Sequence, residues 1–200
     1  MALLKSAWEI ALEKTADIAA DPDKIRAEST VTEARRLAGS YLSEIESDGT
    51  HIEKAYSKAD KERQILLKKG LSSTVVLNLA LPHTDDYKLR VDKLIHIAKI
   101  IDGQESQSAN LISQIGTFMG KYVEARNSLL ERARAQYQPI YEQKREQLMQ
   151  QYGSSANYSL DQDPEFIQLL QNSYSKLNQQ YQQVIDQAKN QLKELWGLEE

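Results

Sequence analysis

Apolar residues return along most of this chain every three or four positions, the spacing of one face of an α-helix. Leu4, Trp8, Ala11, Leu12, Thr15 and Ile18 form the first such stripe and predict a helix over residues 3–19. Asp21 followed by Pro22 is a start signal, an N-cap and then the first helical position. The second helix runs from there toward Ser47, with Ile25, Val31, Leu37, Tyr41, Leu42 and Ile45 as its expected core face. The run "SDGT" breaks it. A third helix is predicted from Thr50 to Lys69, where two lysines and Gly70 read as a helix C-terminus.

The stretch "GLSSTVVLNLALP" fits two periods. Val75, Leu77, Leu79 and Leu81 alternate as in a strand, while Leu71, Val75, Val76 and Leu79 fit a helix. A lone strand leaves its backbone groups unpaired, and no second strand-like run exists to pair with it. The expectation is a short helix over 70–81, apolar nearly all round and therefore buried, stopped by Pro82. Were it instead a docking surface, Val76→Asp would leave the protein folded and abolish partner binding. A further helix is predicted from Asp85, as N-cap, to Ile101, with Leu89, Leu94, Ile95, Ile97, Ala98 and Ile101 inward and Gly103 closing it.

Beyond Gln104 the pattern lengthens. Phe118, Tyr122, Arg126, Leu129, Ala133, Tyr137, Ile140, Lys144 and Leu148 step 4-4-3, close to an 11-residue repeat. Only Pro139 interrupts this run before Tyr152. After a polar loop at about 153–163, Asp163 and Pro164 start a last helix. Leu170, Tyr174, Leu177, Tyr181, Val184, Ala188, Gln191 and Leu195 then step 4-3-4-3, a heptad seam. Two long helices joined by a short loop predict an antiparallel hairpin. If Gln151 meets Pro164, Met119 lies opposite Trp196, and the Gly116–Gly120 pair would seat that tryptophan. The fold class is therefore all-α: an N-terminal helical bundle over 1–103 and a long antiparallel coiled-coil arm over 104–200.

Composition narrows the function. The 200 residues contain no Cys, which excludes thiol nucleophiles, disulfides and Cys-ligated zinc. No apolar run is long enough for a secretory core or a membrane span, so a cytoplasmic location is the default expectation. A net charge of −4 disfavours nucleic acid and anionic membrane surfaces as partners unless charge is segregated. The most basic stretch is a helix over 52–70, with Lys54, Lys58, Lys61, Arg63, Lys68 and Lys69 against Glu53, Asp60 and Glu62. It supports the alternative reading of a nucleic-acid or membrane-surface regulator.

Chemical motifs are few. His51, His83 and His96 are the only histidines. His83 beside Asp85 and Asp86 could hold a metal, but adjacent loop residues without a second His make a poor ligand set, and Asp85 serves as a helix cap. No phosphate loop, nucleophile elbow, HExxH or EF-hand pattern occurs, and no ExxH accompanies the paired carboxylates Glu44/Asp48 and Glu142/Glu146. No catalytic, cofactor-binding or metal residues are expected, and no cofactor. An enzyme reading would need a polar pocket near His83 or His96.

Tyrosine is the remaining signal, with seven of ten in the second half. Tyr fills seam positions with its hydroxyl at the edge, and it is also enriched where proteins meet. Tyr122, Tyr137, Tyr141, Tyr174 and Tyr181 are the candidate partner-binding residues. The functional expectation is a non-enzymatic interaction or scaffold protein, a homo-oligomer or the binder of a protein partner, acting through its arm.

The stretch "KSAWEIALEKTADIAADPDKIRAE", Lys5–Glu28, and "LNLALP", Leu77–Pro82, resemble an uncharacterised family of helical bacterial proteins. That resemblance implies a bacterial, cytoplasmic origin and brings no activity, cofactor or site.

Overall fold

The computed structural model describes residues 21–82, 86–153 and 159–198, and among them every regular element is helical. The helix expected over 3–19, the expected cap Asp85 and His83 lie outside the described residues. Six α-helices follow in order: α1 (Pro22–Ser43), α2 (Thr50–Ser57), α3 (Lys61–Asn78), α4 (Tyr87–Asp102), α5 (Gln107–Tyr152) and α6 (Pro164–Trp196), with a 3-10 turn at Leu160–Gln162. The chain forms two compact units, residues 1–74 and 75–200.

In the first unit α1 starts as its sequence dictates. The Asp21 carboxylate accepts from Asp23 N at 3.1 Å, with Pro22 in the first turn. It ends at Ser43, four residues short of the expected Ser47, and Glu44 is already extended. Its buried stripe is Ala34, Ala38 and Tyr41. Ile25 and Ile45, expected in the core, are exposed, Ile45 at 78%. The small residues win because of what crosses them. A Cβ on Gly70 of α3 would stand 2.5 Å from both the Ala34 Cβ and the Val31 carbonyl oxygen. The backbones meet too closely for larger side chains.

Gly70 therefore ends no helix. The stretch expected as one helix from Thr50 to Lys69 is two, interrupted at residues 58–60, and α3 continues through Gly70 to Asn78. Asp60 accepts from Arg63 N at 2.8 Å as α3 begins. The segment 70–81 is the end of α3 followed by non-helical backbone, and not a separate helix. Its expected burial holds for Leu71, Val75, Val76 and Leu79, while Leu77 is 75% exposed. Its buried hydroxyls donate to the helix's own carbonyls: Ser72 to Lys68 O at 2.7 Å and Thr74 to Gly70 O at 2.9 Å.

In the second unit, α4 packs along the first half of α5, and α5 along α6. Gly103, with φ 97°, closes α4 in a backbone conformation that suits glycine. Ser106 then caps α5, accepting from Ala109 N at 3.3 Å. Val91, Leu94, Ile97, Ala98 and Ile101 form the buried face of α4, whereas Leu89 is exposed. The Gly116–Gly120 pair of α5 serves this contact. A Cβ on Gly116 would lie 2.7 Å from Val91 Cγ1, and one on Gly120 3.0 Å from the Tyr87 hydroxyl. The tryptophan expected there is elsewhere: Trp196 Nε1 donates to Asp102 Oδ2 at 2.5 Å, and the same oxygen accepts from Ser108 Oγ at 2.6 Å.

Candidate functional site

The α5–α6 seam holds all five candidate tyrosines. α5 runs unbroken through Pro139. Tyr122 is buried, and its hydroxyl donates to Asn178 Oδ1 at 2.8 Å. Tyr181 meets the Tyr122 ring edge-on at 5.3 Å and the Phe118 ring at 4.8 Å, and its hydroxyl reaches Lys121 O at 3.5 Å. Arg126 lies over the Tyr174 ring, 5.6 Å from its centre. Tyr137 is buried against Phe166, ring centres 5.4 Å apart, and Tyr141 packs on the cluster they form with Ala133. Offset and edge-on ring pairs of this kind add to the burial of a helix–helix contact. The structure thus brings the five tyrosines onto one line, with Tyr122 and Tyr137 facing inward. Tyr158 and the side chain of Tyr152 lie outside the described residues.

The buried positions of α6 correct the heptad. Val184 and Leu195 are 42% and 40% exposed and Gln191 is exposed, while Ile185, Leu192 and Trp196 are buried in their place. The inner line is Phe166, Leu170, Tyr174, Leu177, Tyr181, Ile185, Ala188, Leu192 and Trp196, stepping 4-4-3 as α5 does. An α-helix of 3.6 residues per turn drifts about 20° per heptad, so a strict seven-residue stripe leaves the contact within three repeats. The register differs as well. Tyr122 meets Asn178, Tyr137 meets Phe166, and Trp196 reaches Asp102, so Met119 is not Trp196's partner. The residues before α6 already run beside α5: Arg134 pairs with Asp161 at 3.1 Å. The pairing therefore shifts from one based on level helix ends.

A polar node closes the far end of the seam. Asp163, fully buried, caps α6 by accepting from Glu165 N at 2.9 Å. Lys144 Nζ donates to Asp163 Oδ2 at 3.1 Å, to Glu165 Oε2 at 2.9 Å and to the Tyr137 hydroxyl at 2.8 Å. The Tyr137 hydroxyl, itself pushed upward by burial, holds Lys144 well above the ordinary lysine pKa, with Glu165 and Asp163 adding to the effect. A lysine held this firmly protonated anchors helices and is no proton donor near neutral pH. Sequence had marked Asp163 as a cap and Lys144 as a seam position, but nothing in their spacing joined them.

The histidines form no site among the described residues. His51 Nε2 lies 3.3 Å from Leu37 O with its ring edge-on to Tyr41, His96 is half-buried, and His83 is outside them. No group of three potential metal ligands occurs among the described residues. The basic stretch 52–70 is bent at residues 58–60 and is not one helix. Its Arg63 is engaged by Glu33 of α1 at 2.7 Å. No described helix is long and apolar enough to cross a membrane.

Residues 53–194 match a family of unknown function, DUF6657. The match includes Leu77–Pro82 but not Lys5–Glu28. No curated protein and no solved structure matches the chain.

Proposed function

The chain belongs to the family of unknown function DUF6657, so its role has to be argued from its own surface, and we propose that it is a non-enzymatic interaction or scaffold protein. Its working part in this reading is the helix pair α5–α6, an antiparallel hairpin arm. Support for the arm comes from the order of its cross-contacts, 122 with 178, 126 with 174 and 137 with 166.

One observation carries the reading. Six large apolar side chains stand well exposed on these two helices: Ile140 and Met149 on α5, and Ile167, Leu169, Val184 and Leu195 on α6. A two-helix pair has no third layer to cover such residues, so each is open to a partner. The tyrosines support it from beneath, as rigid fillers that hold the arm straight. Tyr141, Tyr174 and Tyr181, half-buried, also offer edges to a partner.

The test is capture from the native host with the intact chain and with an Ile140→Asp/Ile167→Asp variant of matched helix content. A protein retained through a high-salt wash by the intact chain and lost by the variant supports the reading. Nucleic acid or lipid bound at low salt and released at high salt would replace it with the basic-surface alternative.

A further inference from the structure

The two flanks of the α5–α6 pair are unequal. α4 covers one flank through Val91 and Tyr87 against Gly116 and Gly120. On the other flank a groove runs between α5 and α6. Its floor and rims are Leu111, Ile115, Phe118, Val184, Ala188 and Leu195. At 100° per residue, Leu111 and Phe118 lie roughly 140–160° around α5 from Gly116, so α4 leaves this groove open.

Charge is ordered along the groove. Glu105 and Glu194 stand at one end and Lys121 at the other, with Gln114 and Gln191 at the middle. From Gln107 to Lys121 is about 21 Å of helix. An acid-to-base order is complementary to itself when reversed, and reversal is what a twofold axis through the middle imposes. The exposed Val184 and Leu195 supply ridges for the facing groove, and two helix pairs stacked this way close into a four-helix arrangement. We infer that the occupant of this groove is a second copy of the chain, related by a twofold axis near Gln114 and Gln191, with Lys121 of each copy facing the Glu105/Glu194 end of the other. The inference rests on the interaction reading of the arm and names one partner for its base.

Charge reversal tests it. Lys121→Glu alone sets like charges opposite one another at both ends of the dimer, and Glu194→Lys alone sets a lysine against Lys121 at both ends with only Glu105 left to oppose it. Each variant should dimerise about tenfold more weakly than the native chain. Mixed in equal amounts they form a heterodimer that keeps the native pairing at one end and sets the two exchanged charges opposite each other at the other, and sedimentation should show more dimer than in either variant alone. All these positions are exposed, so circular dichroism should show native helix content in each. The absence of Cys adds an independent probe: Gln114→Cys with a short bismaleimide should link two chains faster than Gln143→Cys on α5. A native chain that stays monomeric at high concentration, a mixture no more dimeric than its components, or equal linking at both cysteines would overturn the inference. Ile140 and Ile167 lie outside the groove, so loss of a captured partner with the dimer intact separates the two readings.

Discussion

At the scale of single residues, the glycines of two helices make opposite predictions. A methyl group on Gly70 has no room, because Ala34 Cβ and a backbone carbonyl sit 2.5 Å away and the carbonyl cannot turn aside. Gly70→Ala should therefore cost about 1–3 kcal/mol through overpacking. Gly39, in the interior of α1, has nothing within 4 Å of an added Cβ. Gly39→Ala should gain about 0.5–1 kcal/mol from helix propensity. Urea midpoints of the two variants should move in opposite directions. The Lys144 node predicts a pH dependence. Lys144 and Tyr137 are both raised above their ordinary values of 10.5 and 10.0. Their contribution is complete below the unfolded values and is lost as pH rises through the folded ones. Lys144→Met should lower the urea midpoint at neutral pH, and its gap to the native chain should narrow as pH climbs past about 10.

At the scale of elements, the two long helices were legible as helices but not in how they meet. The stripe of α5 is legible as far as Tyr122, Ala133 and Tyr137, which are buried, but past Tyr137 the inward position is Tyr141 and not Ile140, which is 45% exposed. In α6 apolar residues occupy both Val184/Leu195 and Ile185/Leu192, and spacing alone cannot say which pair faces inward. Only the drift of a straight helix against its neighbour decides. Leu192→Ala should therefore cost about 2–5 kcal/mol and Leu195→Ala less than about 1, where a heptad seam would reverse the order. Thermal unfolding of the two variants at low protein concentration, where no second copy covers Leu195, separates the cases. Gly70 misleads for a related reason. Its position after two lysines has the local look of a helix end, while its role, close approach to Ala34, depends on a residue thirty-six positions earlier. The caps Asp21 and Asp163 are legible in sequence because a cap is a local hydrogen bond, two residues long. Of the candidate site, the positions of Tyr122, Tyr137, Tyr174 and Tyr181 follow from periodicity, whereas the spacing puts Ile140 where Tyr141 packs. The tyrosines' inward-facing rings and the Lys144–Asp163 node depend on register, which sequence leaves open.

At the scale of the whole molecule, self-association would join folding to concentration. If the groove at the base of the arm is closed by a second copy, unfolding also dissociates the dimer, and mass action then favours the folded state as protomer concentration rises. A tenfold increase is worth about 1.4 kcal/mol per dimer. Spread over two chains of this length, that raises the Tm by roughly 2 °C per decade. The native chain should show this slope, and Lys121→Glu, weakened in association, should give a flatter one over the same range. An equal mixture of Lys121→Glu and Glu194→Lys should steepen the slope again toward the native one. That recovery has no source in the stability of either chain alone, since each variant carries only one of the two changes. It would place the added stability in contacts between copies, at the two ends of the groove where acid faces base.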